Sequence, residues 1–590
     1  MVKGLLFFIK FSWKEKKAYV ILNALNQFLI GLLPVFIITL PKYIIDELTG
    51  QKCITNIVLY IIILLCIIFI NSWGVSHINL MIFNQRCYIS ARFSKFMHEK
   101  LVNTDFCNLE KPDYFEMRDK ANKFIYGDWH GFSYVLESAF SIIGKAFTLI
   151  GIIAIISTMN ILIVAVFIIM VLASAYIDSK AKEKSHNLTM DAVKVERRWN
   201  YFSQILEDVA YSKEIRMNNI DKWLIDAEMD YSNKAIEFYK KRNTYFSLSM
   251  LFNSISGFIQ NAITYAYLVY RVIVNTISIG EFTMYISAVS TFSNAVRDVL
   301  TSLVDIKVFG IYYEDFEKYI NVPETLRNNK KLSVPIINDG KFEICFRNVS
   351  FIYPGQDVYA IKNLNLSIKS GTKLSIVGEN GAGKTTFIKL LCRLYDPTEG
   401  EILLNNVNIK DIDYDEYMRL YSAVFQDYKL FSFSIKDNIV FNNLNISDQR
   451  VSDLVNKVGL DKKIKALPKG INTSIYKEFD QDGFEPSGGE GQKIAIARAI
   501  ARDSQIVILD EPLSALDPKA EHEIFQQFNQ IIDGKTAIYI SHRLSSSRLC
   551  DYIAVFQKGS IIEYGTHDDL IACNGKYAEL FNMQAQYYSK

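Results

Sequence analysis

The sequence predicts an all-α transmembrane domain of six helices, followed by an α/β domain with a phosphate-binding loop. Long apolar runs of membrane-spanning length occupy the first half of the 590 residues. A glycine-rich loop at 378–386 separates a strand-like from a helix-like segment in the second half. A hydrophobic fraction of 50% and an aromatic fraction of 13% fit a membrane protein with a soluble part.

Six segments are long and apolar enough to cross a hydrocarbon core of about 30 Å as helices. They lie at approximately 18–41, 54–75, 138–156, 161–177, 243–270 and 282–308. Pro34 and Pro41 are expected to kink or end the first helix. Ionisable residues interrupt the sixth segment and either line a wet cavity or form cytoplasmic ion pairs, because such groups are costly against lipid. They are Arg297, Asp298, Asp305 and Lys307.

The placement of Lys and Arg predicts the orientation. Basic residues concentrate in the N-terminal stretch, in 76–137 and in 178–242, which places these stretches and both termini in the cytoplasm. We expect the membrane helices to extend into the cytosol and to turn near 111–115 and 211–222. The predicted domains are therefore 1–320 in the membrane, a polar linker at 321–340 and a soluble domain at 341–590.

The loop at 378–386 has the spacing G-x-x-x-x-G-K-[ST] between an apolar strand and a helix. Glycines let backbone N–H groups approach phosphate oxygens at a helix N-terminus. Lys384 should reach the β and γ phosphates, and Thr385 should bind Mg²⁺. The candidate nucleotide-binding residues of the loop are Gly378, Glu379, Asn380, Gly381, Ala382, Gly383, Lys384, Thr385 and Thr386.

A second buried-strand signal at 506–509 ends in two acids. Asp510 is well placed there to bind Mg²⁺, and Glu511 to polarise an attacking water molecule. The segment Ser487, Gly488, Gly489 and Glu490 precedes a predicted helix. On composition alone it is either a capping box or an anion site at a helix N-terminus.

Composition also excludes some classes of partner and site. A net charge of +2 lacks the basic excess that nucleic-acid binding usually requires. The eight cysteines show no CxxC spacing, which is typical of reduced thiols rather than of a metal site or a disulfide framework. The abundance of Ile, Asn and Lys favours a low-GC bacterial source.

The order of these motifs, with 514–517 and His542 following, closely resembles the ATP-binding cassette family. Six spans fused to one cassette resemble a half-size ABC exporter. The resemblance implies an α/β P-loop cassette that binds ATP and Mg²⁺, hydrolyses ATP and drives transport. The resemblance covers essentially the whole chain, although the membrane half matches only in the layout of its helices.

The resemblance implies further roles. Tyr353 would stack on adenine, and Gln426 would contact Mg²⁺ and water. His542 would contact the γ-phosphate, while Asp517 would belong to a loop that crosses the dimer. ATP would lie between Lys384 of one cassette and the 487–490 segment of another, so two chains are needed, with a homodimer favoured over a heterodimer.

One departure concerns the family pattern Leu-Ser-Gly-Gly-Gln, which is Pro486-Ser-Gly-Gly-Glu490 here. We expect the added negative charge of Glu490 to slow hydrolysis or to weaken ATP binding. The same form resembles that of some peptide and bacteriocin exporters.

The turn at 110–116 is also similar to that of exporters of modified peptides, and we expect no protease domain before Lys17. The expected function is therefore ATP-driven peptide export across the cytoplasmic membrane by alternating access. A multidrug or lipid exporter is the first alternative, and an ATP-gated channel or sensor the second.

Overall fold

The computed structural model describes residues 2–50, 52–126, 132–157, 161–327, 332–335, 341–441, 445–510, 534–540 and 544–588. The chain divides into two compact units. The first comprises Met1–Thr104 and Asn108–Pro323, and the second comprises Asp105–Cys107 and Glu324–Lys590. A helical N-terminal half precedes an α/β half, so the predicted fold class is confirmed.

Long helices build the first unit, and the short helix α4, Phe106–Leu109, begins in the 105–107 segment of the second. Their bounds, with those of short connecting helices, are α1 Val2–Glu15, α2 Lys17–Thr49, α3 Ile54–Asn103, α4 Phe106–Leu109, α5 Pro112–Tyr126, α6 Phe132–Ile156, α7 Ile161–Glu207, α8 Ser212–Asn218, α9 Asp221–Ile273 and α10 Ile279–Ile320. Each of the six predicted spanning segments lies within one of α2, α3, α6, α7, α9 and α10. Among the described residues, Lys17–Thr49, Ile54–Asn103 and Val135–Ile156 are long and apolar enough to cross a membrane. The six-span boundaries remain a prediction.

The prolines of α2 do not end it. The helix runs from Lys17 to Thr49 through both Pro34 and Pro41, so of the two expected effects, a kink or an end, the end does not occur. Each proline removes one backbone donor from the helix. The apolar surroundings of a spanning helix favour retention of the remaining backbone hydrogen bonds, because no water can replace them there.

Helices α2 and α6 cross at two glycines. A Cβ atom added at Gly31 would lie 2.2 Å from the carbonyl oxygen of Gly144, and one added at Gly144 would lie 2.3 Å from that of Gln27. The hydroxyl of Thr148 donates to the carbonyl oxygen of Gly31 at 2.7 Å. Small residues permit such close backbone contact between membrane helices.

Three of the four ionisable residues that interrupt the sixth predicted segment form ion pairs. Asp298 lies 2.7 Å from Lys145, and Lys307 lies 3.9 Å from Glu183. Asp305 is 1% exposed and forms an ion pair with Lys182 of α7. Helix α10 therefore continues uninterrupted through residues whose charges had suggested an interruption.

The described residues of the second unit form two sheets. Its strands are β1 Glu343–Ile352, β2 Tyr359–Lys369, β3 Lys373–Gly378, β4 Glu399–Leu404, β5 Val407–Asn408, β6 Tyr421–Val424, β7 Ile506–Asp510, β8 Thr536–Ile540, β9 Tyr552–Gln557 and β10 Ser560–Gly565. Its helices are α11 Lys384–Leu391, α12 Tyr414–Arg419, α13 Ile435–Val440, α14 Asp448–Lys457, α15 Asp461–Lys465, α16 Gly488–Ala501, α17 Leu544–Ser547, α18 His567–Ala572 and α19 Lys576–Tyr588.

The larger sheet positions the site. Its strand order is β10-β9-β3-β8-β7-β6, and β3 pairs in parallel with both β8 and β9. All five residues of β7 and of β8 are buried, as expected for strands covered on both faces. Because β3, β7 and β8 are parallel, their carboxyl ends meet at one edge, where the phosphate-binding loop begins.

Candidate nucleotide-binding site

The phosphate-binding loop connects β3 to α11, as the sequence predicts. Gly378 ends β3 with φ of 150°, and Gly383 precedes α11 with φ of 104°. A Cβ atom at Gly378 would lie 2.3 Å from the carbonyl oxygen of Phe556, and one at Gly383 would lie 2.9 Å from that of Ala360. Only glycine fits both positions, because the backbone dihedral and the space each disfavour a side chain.

Lys384 is the first residue of α11 and is 7% exposed. Its ammonium group donates to the carbonyl oxygens of Gly378 at 2.8 Å and Glu379 at 3.0 Å. The charge thus lies over the loop, next to the N–H groups that begin the helix. This arrangement combines a cation, backbone amide donors and the positive end of a helix dipole, which together favour a phosphate group.

A cavity of about 630 Å³ opens beside this loop. It brings together many of the predicted residues: Tyr353, Asn380, Gly381, Ala382, Gly383, Lys384, Thr385, Thr386 and Gln426. The sequence analysis missed three more lining residues, Gln356, Ala360 and Ile540. The sequence could have indicated Gln356, because the Pro-Gly pair after Tyr353 predicts a turn that brings residues 353 and 356 together. Ala360 and Ile540 carried none, since an apolar residue in a strand is normally core.

Tyr353 lies at one wall of this cavity. Its hydroxyl is 3.1 Å from the hydroxyl of Thr386, and its ring contacts those of Phe351 and Tyr395 at centroid distances of 4.9 and 5.5 Å. The ammonium group of Lys389 lies 5.3 Å from the ring centroid. These contacts hold an aromatic ring at the edge of a polar cavity, where a flat base can stack.

Three oxygen-bearing side chains fit a magnesium ion. Thr385 and Gln426 line the cavity, and Asp510 ends β7 opposite Ile540 of β8, which also lines it. Asp510 is 5% exposed, so its carboxylate sits at the buried sheet edge. Hydroxyl, amide and carboxylate oxygens are the ligands that Mg²⁺ prefers, and Mg²⁺ usually takes few protein ligands beside phosphate and water. Bound there, it would neutralise phosphate charge.

The 487–490 segment forms a capping box at the N-terminus of α16. Ser487 Oγ accepts from the Glu490 amide at 3.3 Å, and Glu490 Oε2 accepts from the Ser487 amide at 2.8 Å. Burial raises the pKa of Glu490, but the hydrogen bonds from Ser487 and the charges of Lys463 and Lys493 outweigh it, so the pKa is lowered. Glu490 therefore carries a full charge at neutral pH.

Three predicted residues, Glu511, Asp517 and His542, lie outside the described residues. The strands that lead to two of them are described. β7 ends directly before Glu511, and β8 ends two residues before His542. Their roles remain predictions.

A family model described as "ABC transporter" matches residues 361–514. This part of the chain is an ABC transporter ATP-binding domain. The transporter therefore binds ATP, and its activity is ATP hydrolysis coupled to transport across a membrane. Its fold is that of a half-size exporter, a type that typically dimerises.

Relatives and one solved structure align over nearly all of the transporter. It is 29% identical to the subtilin transport ATP-binding protein of Bacillus subtilis, over 92% of this chain and 88% of that protein. It is 26% identical to the nisin transport ATP-binding protein of Lactococcus lactis subsp. lactis, over 97% and 95%. The structure of a bacterial Atm1-family ABC exporter with ATP bound shares the fold with a TM-score of 0.83, at 19% identity over 96% of this chain and 98% of that one.

Proposed function

We propose that this transporter exports a modified peptide across the cytoplasmic membrane. The observation that carries this proposal is the extent of two alignments. The subtilin and nisin transport proteins match more than nine tenths of this chain, membrane half included. An ATP-dependent lipid A-core flippase of Bordetella avium (strain 197N) is 32% identical but matches only 52% of the chain. Cargo is handled in the membrane half, so the longer alignments carry more weight for its class.

A cavity in the first unit supports a peptide over a lipid. It measures about 650 Å³ and is formed by one face each of α7, α9 and α10. Helical spacing places its residues on those faces: Asp178, Lys182, Ser185, His186 and Thr189 on α7, Arg242, Asn243, Phe246, Ser247, Met250 and Asn253 on α9, and Thr301, Asp305, Val308 and Tyr312 on α10.

The lining mixes apolar surface with opposite charges. Lys182 is bound by Asp305 and lies 3.4 Å from Asp178, which also accepts from the hydroxyl of Ser249 at 3.2 Å. Amides, hydroxyls and paired charges can meet the donors and acceptors of a peptide backbone. A lipid acyl chain could form no hydrogen bonds with these groups and would remove water from them, which costs free energy.

A homodimer completes the nucleotide site in this proposal. Among the described residues, the lining of the nucleotide cavity includes none of the 487–490 segment. The segment presents a helix N-terminus, which attracts phosphate, so a second cassette would supply it across the interface. ATP binding would close the two cassettes, and hydrolysis would release them. Glu511 would polarise the attacking water, with Gln426, Asp510 and Thr385 at Mg²⁺, His542 at the γ-phosphate and Asp517 in the cross-dimer loop.

The predicted domains and topology belong to the same proposal. Residues 1–320 would cross the cytoplasmic membrane six times, 321–340 would link the domains, and 341–590 would lie in the cytoplasm with both termini. The lysine-rich and arginine-rich stretches support this orientation.

ATP turnover of the purified chain in lipid nanodiscs, beside Glu511→Gln, tests the function. We expect turnover in the parent that disappears in the variant, and stimulation by lanthionine-containing peptides, with nisin and subtilin as probes, but not by lipid A. Stimulation by lipid alone would favour the flippase alternative. Nucleotide binding without turnover by the parent would favour an ATP-gated channel.

A further inference from the structure

The C-terminal helix α19 contacts both the phosphate-binding loop and the start of α17. At its first residue, Lys576 Nζ lies 3.1 Å from Glu379 Oε1 in the phosphate-binding loop. Near its other end, Gln584 Oε1 accepts a hydrogen bond of 2.9 Å from the backbone N–H of Leu544. A helical rise of 1.5 Å per residue separates these two contacts by about 12 Å. The helix therefore spans from the phosphate-binding loop to the start of α17.

The N-terminus of α19 is anchored by a carboxylate. Glu563 of β10 accepts from the amides of Lys576 at 2.5 Å and Tyr577 at 2.9 Å. These bonds satisfy two of the free donors at the start of the helix and place a negative charge at the positive end of its dipole. A Cβ atom at Gly575 would lie 2.3 Å from Glu563 Oε1, so the preceding residue must be small.

The body of α19 shares a buried cluster with the same two segments. Tyr577 is fully buried with Val377, the residue before Gly378, and with Leu544, the first residue of α17. Leu580 and Phe581 pack against the cluster. A shift of α19 would therefore displace both the base of the phosphate-binding loop and the start of α17.

We infer that α19 is a brace that positions the start of α17 relative to the phosphate-binding loop, and that Gln584 is a positioning residue for ATP hydrolysis. Leu544, the first residue of α17, follows His542 by two positions in the sequence, and its bond to Gln584 fixes that start of α17. The inference rests on the proposed contact of His542 with the γ-phosphate. It assigns Gln584 an effect on the chemical step more than on ATP affinity, because its hydrogen bond is to Leu544, which lies outside the loop that binds ATP.

The test is a pair of substitutions at Gln584 in the full-length chain in nanodiscs. Gln584→Leu removes the acceptor at similar size, and we expect kcat to fall about five-fold, as for the loss of one net hydrogen bond, with KM for ATP within about two-fold of the parent. Gln584→Glu keeps an acceptor oxygen and should restore most of the rate. The ion pair of Lys576 is a weaker target, because Glu379 is 62% exposed and surface pairs contribute little.

Asn582→Leu is the matched control, because Asn582 is exposed on the same helix. It should leave kcat unchanged. The inference is overturned if Gln584→Leu keeps the parent kcat, if Gln584→Glu is as slow as Gln584→Leu, or if Asn582→Leu slows turnover equally. All of these readings come from basal ATP hydrolysis, so failure of the peptide-export test would leave them unaffected.

Discussion

The hydroxyl of Tyr353 lies 3.1 Å from that of Thr386, which joins the proposed adenine-stacking ring to the helix of the phosphate-binding loop. Tyr353, on one wall of the cavity, is thereby fixed to α11. The ring should matter more for ATP than this single bond, because stacking on a base contributes about 1–3 kcal/mol.

Substitution of Tyr353 separates the two contributions. We expect Tyr353→Ala to raise the KM for ATP about ten-fold by loss of stacking, and Tyr353→Phe to change it less than about two-fold. Tyr359→Ala is the control, because Tyr359 is exposed and its hydroxyl binds Glu399 instead. Steady-state ATPase kinetics measure both values. Equal KM values for the Ala variant and the parent would exclude Tyr353 as the adenine contact.

Glu490→Gln tests the departure from the family pattern. Glutamine keeps an acceptor for the Ser487 amide but removes a charge that the lowered pKa of Glu490 maintains at neutral pH. We expect ATP turnover to rise or KM to fall by about two- to five-fold, since a like charge near phosphate costs roughly 0.5–1 kcal/mol. The comparison variant Glu485→Gln removes a nearby acid whose carboxylate binds the Lys477 amide. A Glu490→Gln variant no faster and no tighter than Glu485→Gln would contradict the expectation.

The ion pair between Lys182 and Asp305 should stabilise the first unit only as a pair. Their side chains are 10% and 2% exposed. Removal of one partner leaves a buried charge and typically costs about 3–5 kcal/mol. We therefore expect Lys182→Met to lower the thermal unfolding midpoint clearly, and Lys182→Met with Asp305→Asn to recover part of the loss.

The exposed pair between Lys145 and Asp298 provides the control for that series, with side chains 30% and 47% exposed. Asp298→Asn should change the unfolding midpoint little, because exposed pairs contribute at most about 1 kcal/mol. Unfolding in detergent, followed by intrinsic fluorescence, compares the variants. Equal shifts for both pairs would show that burial of Lys182 and Asp305 has no energetic effect.

His567 should make stability depend on pH. Burial lowers its pKa below the usual value of about 6.5, an effect strengthened by Arg548 and opposed by Asp568. The folded state thus binds fewer protons than the unfolded chain, so this contribution to stability is present above about pH 6.5 and is lost as pH falls through the lowered pKa. Protonation would also leave the imidazole Nδ1, which is 2.8 Å from the Tyr577 hydroxyl, able only to donate in that contact.

Thermal unfolding midpoints of the parent and of His567→Gln, measured between pH 7.5 and pH 5, check this prediction. The parent should lose stability relative to the variant as the pH falls. Parallel curves over the whole range would assign the pH dependence to other groups.

Local sequence patterns predicted much of the cassette, because the residues of each of its motifs are contiguous in the sequence. The strand at Lys373–Gly378, the helix at Lys384–Leu391 and the capping box at Ser487 all followed from neighbouring residues. Contacts between distant residues could not be predicted this way. The bond from Gln584 to Leu544 joins residues 40 apart, and nothing near either residue indicates it.

The membrane half was harder to predict from the sequence for a related reason. An ionisable residue in an apolar segment is costly when it is exposed to lipid, but it is tolerated when it is paired with an opposite charge. Asp305 is paired with a residue 123 positions away in the sequence. The sequence left open whether the prolines of α2 kink or end the helix, because their cost depends on the surroundings of the helix. Hydropathy describes a segment alone, whereas these outcomes depend on neighbouring helices.

The glycine crossing of α2 and α6 limits how this exporter can move. With backbone against backbone at Gly31 and Gly144, and a hydroxyl bond from Thr148 beside them, the two helix backbones are in direct contact at this crossing. We therefore expect α2 and α6 to move together. Helices α7 and α9 instead line, with α10, a cavity of about 650 Å³, which leaves space beside them. We expect the larger movements of a transport cycle in α7 and α9.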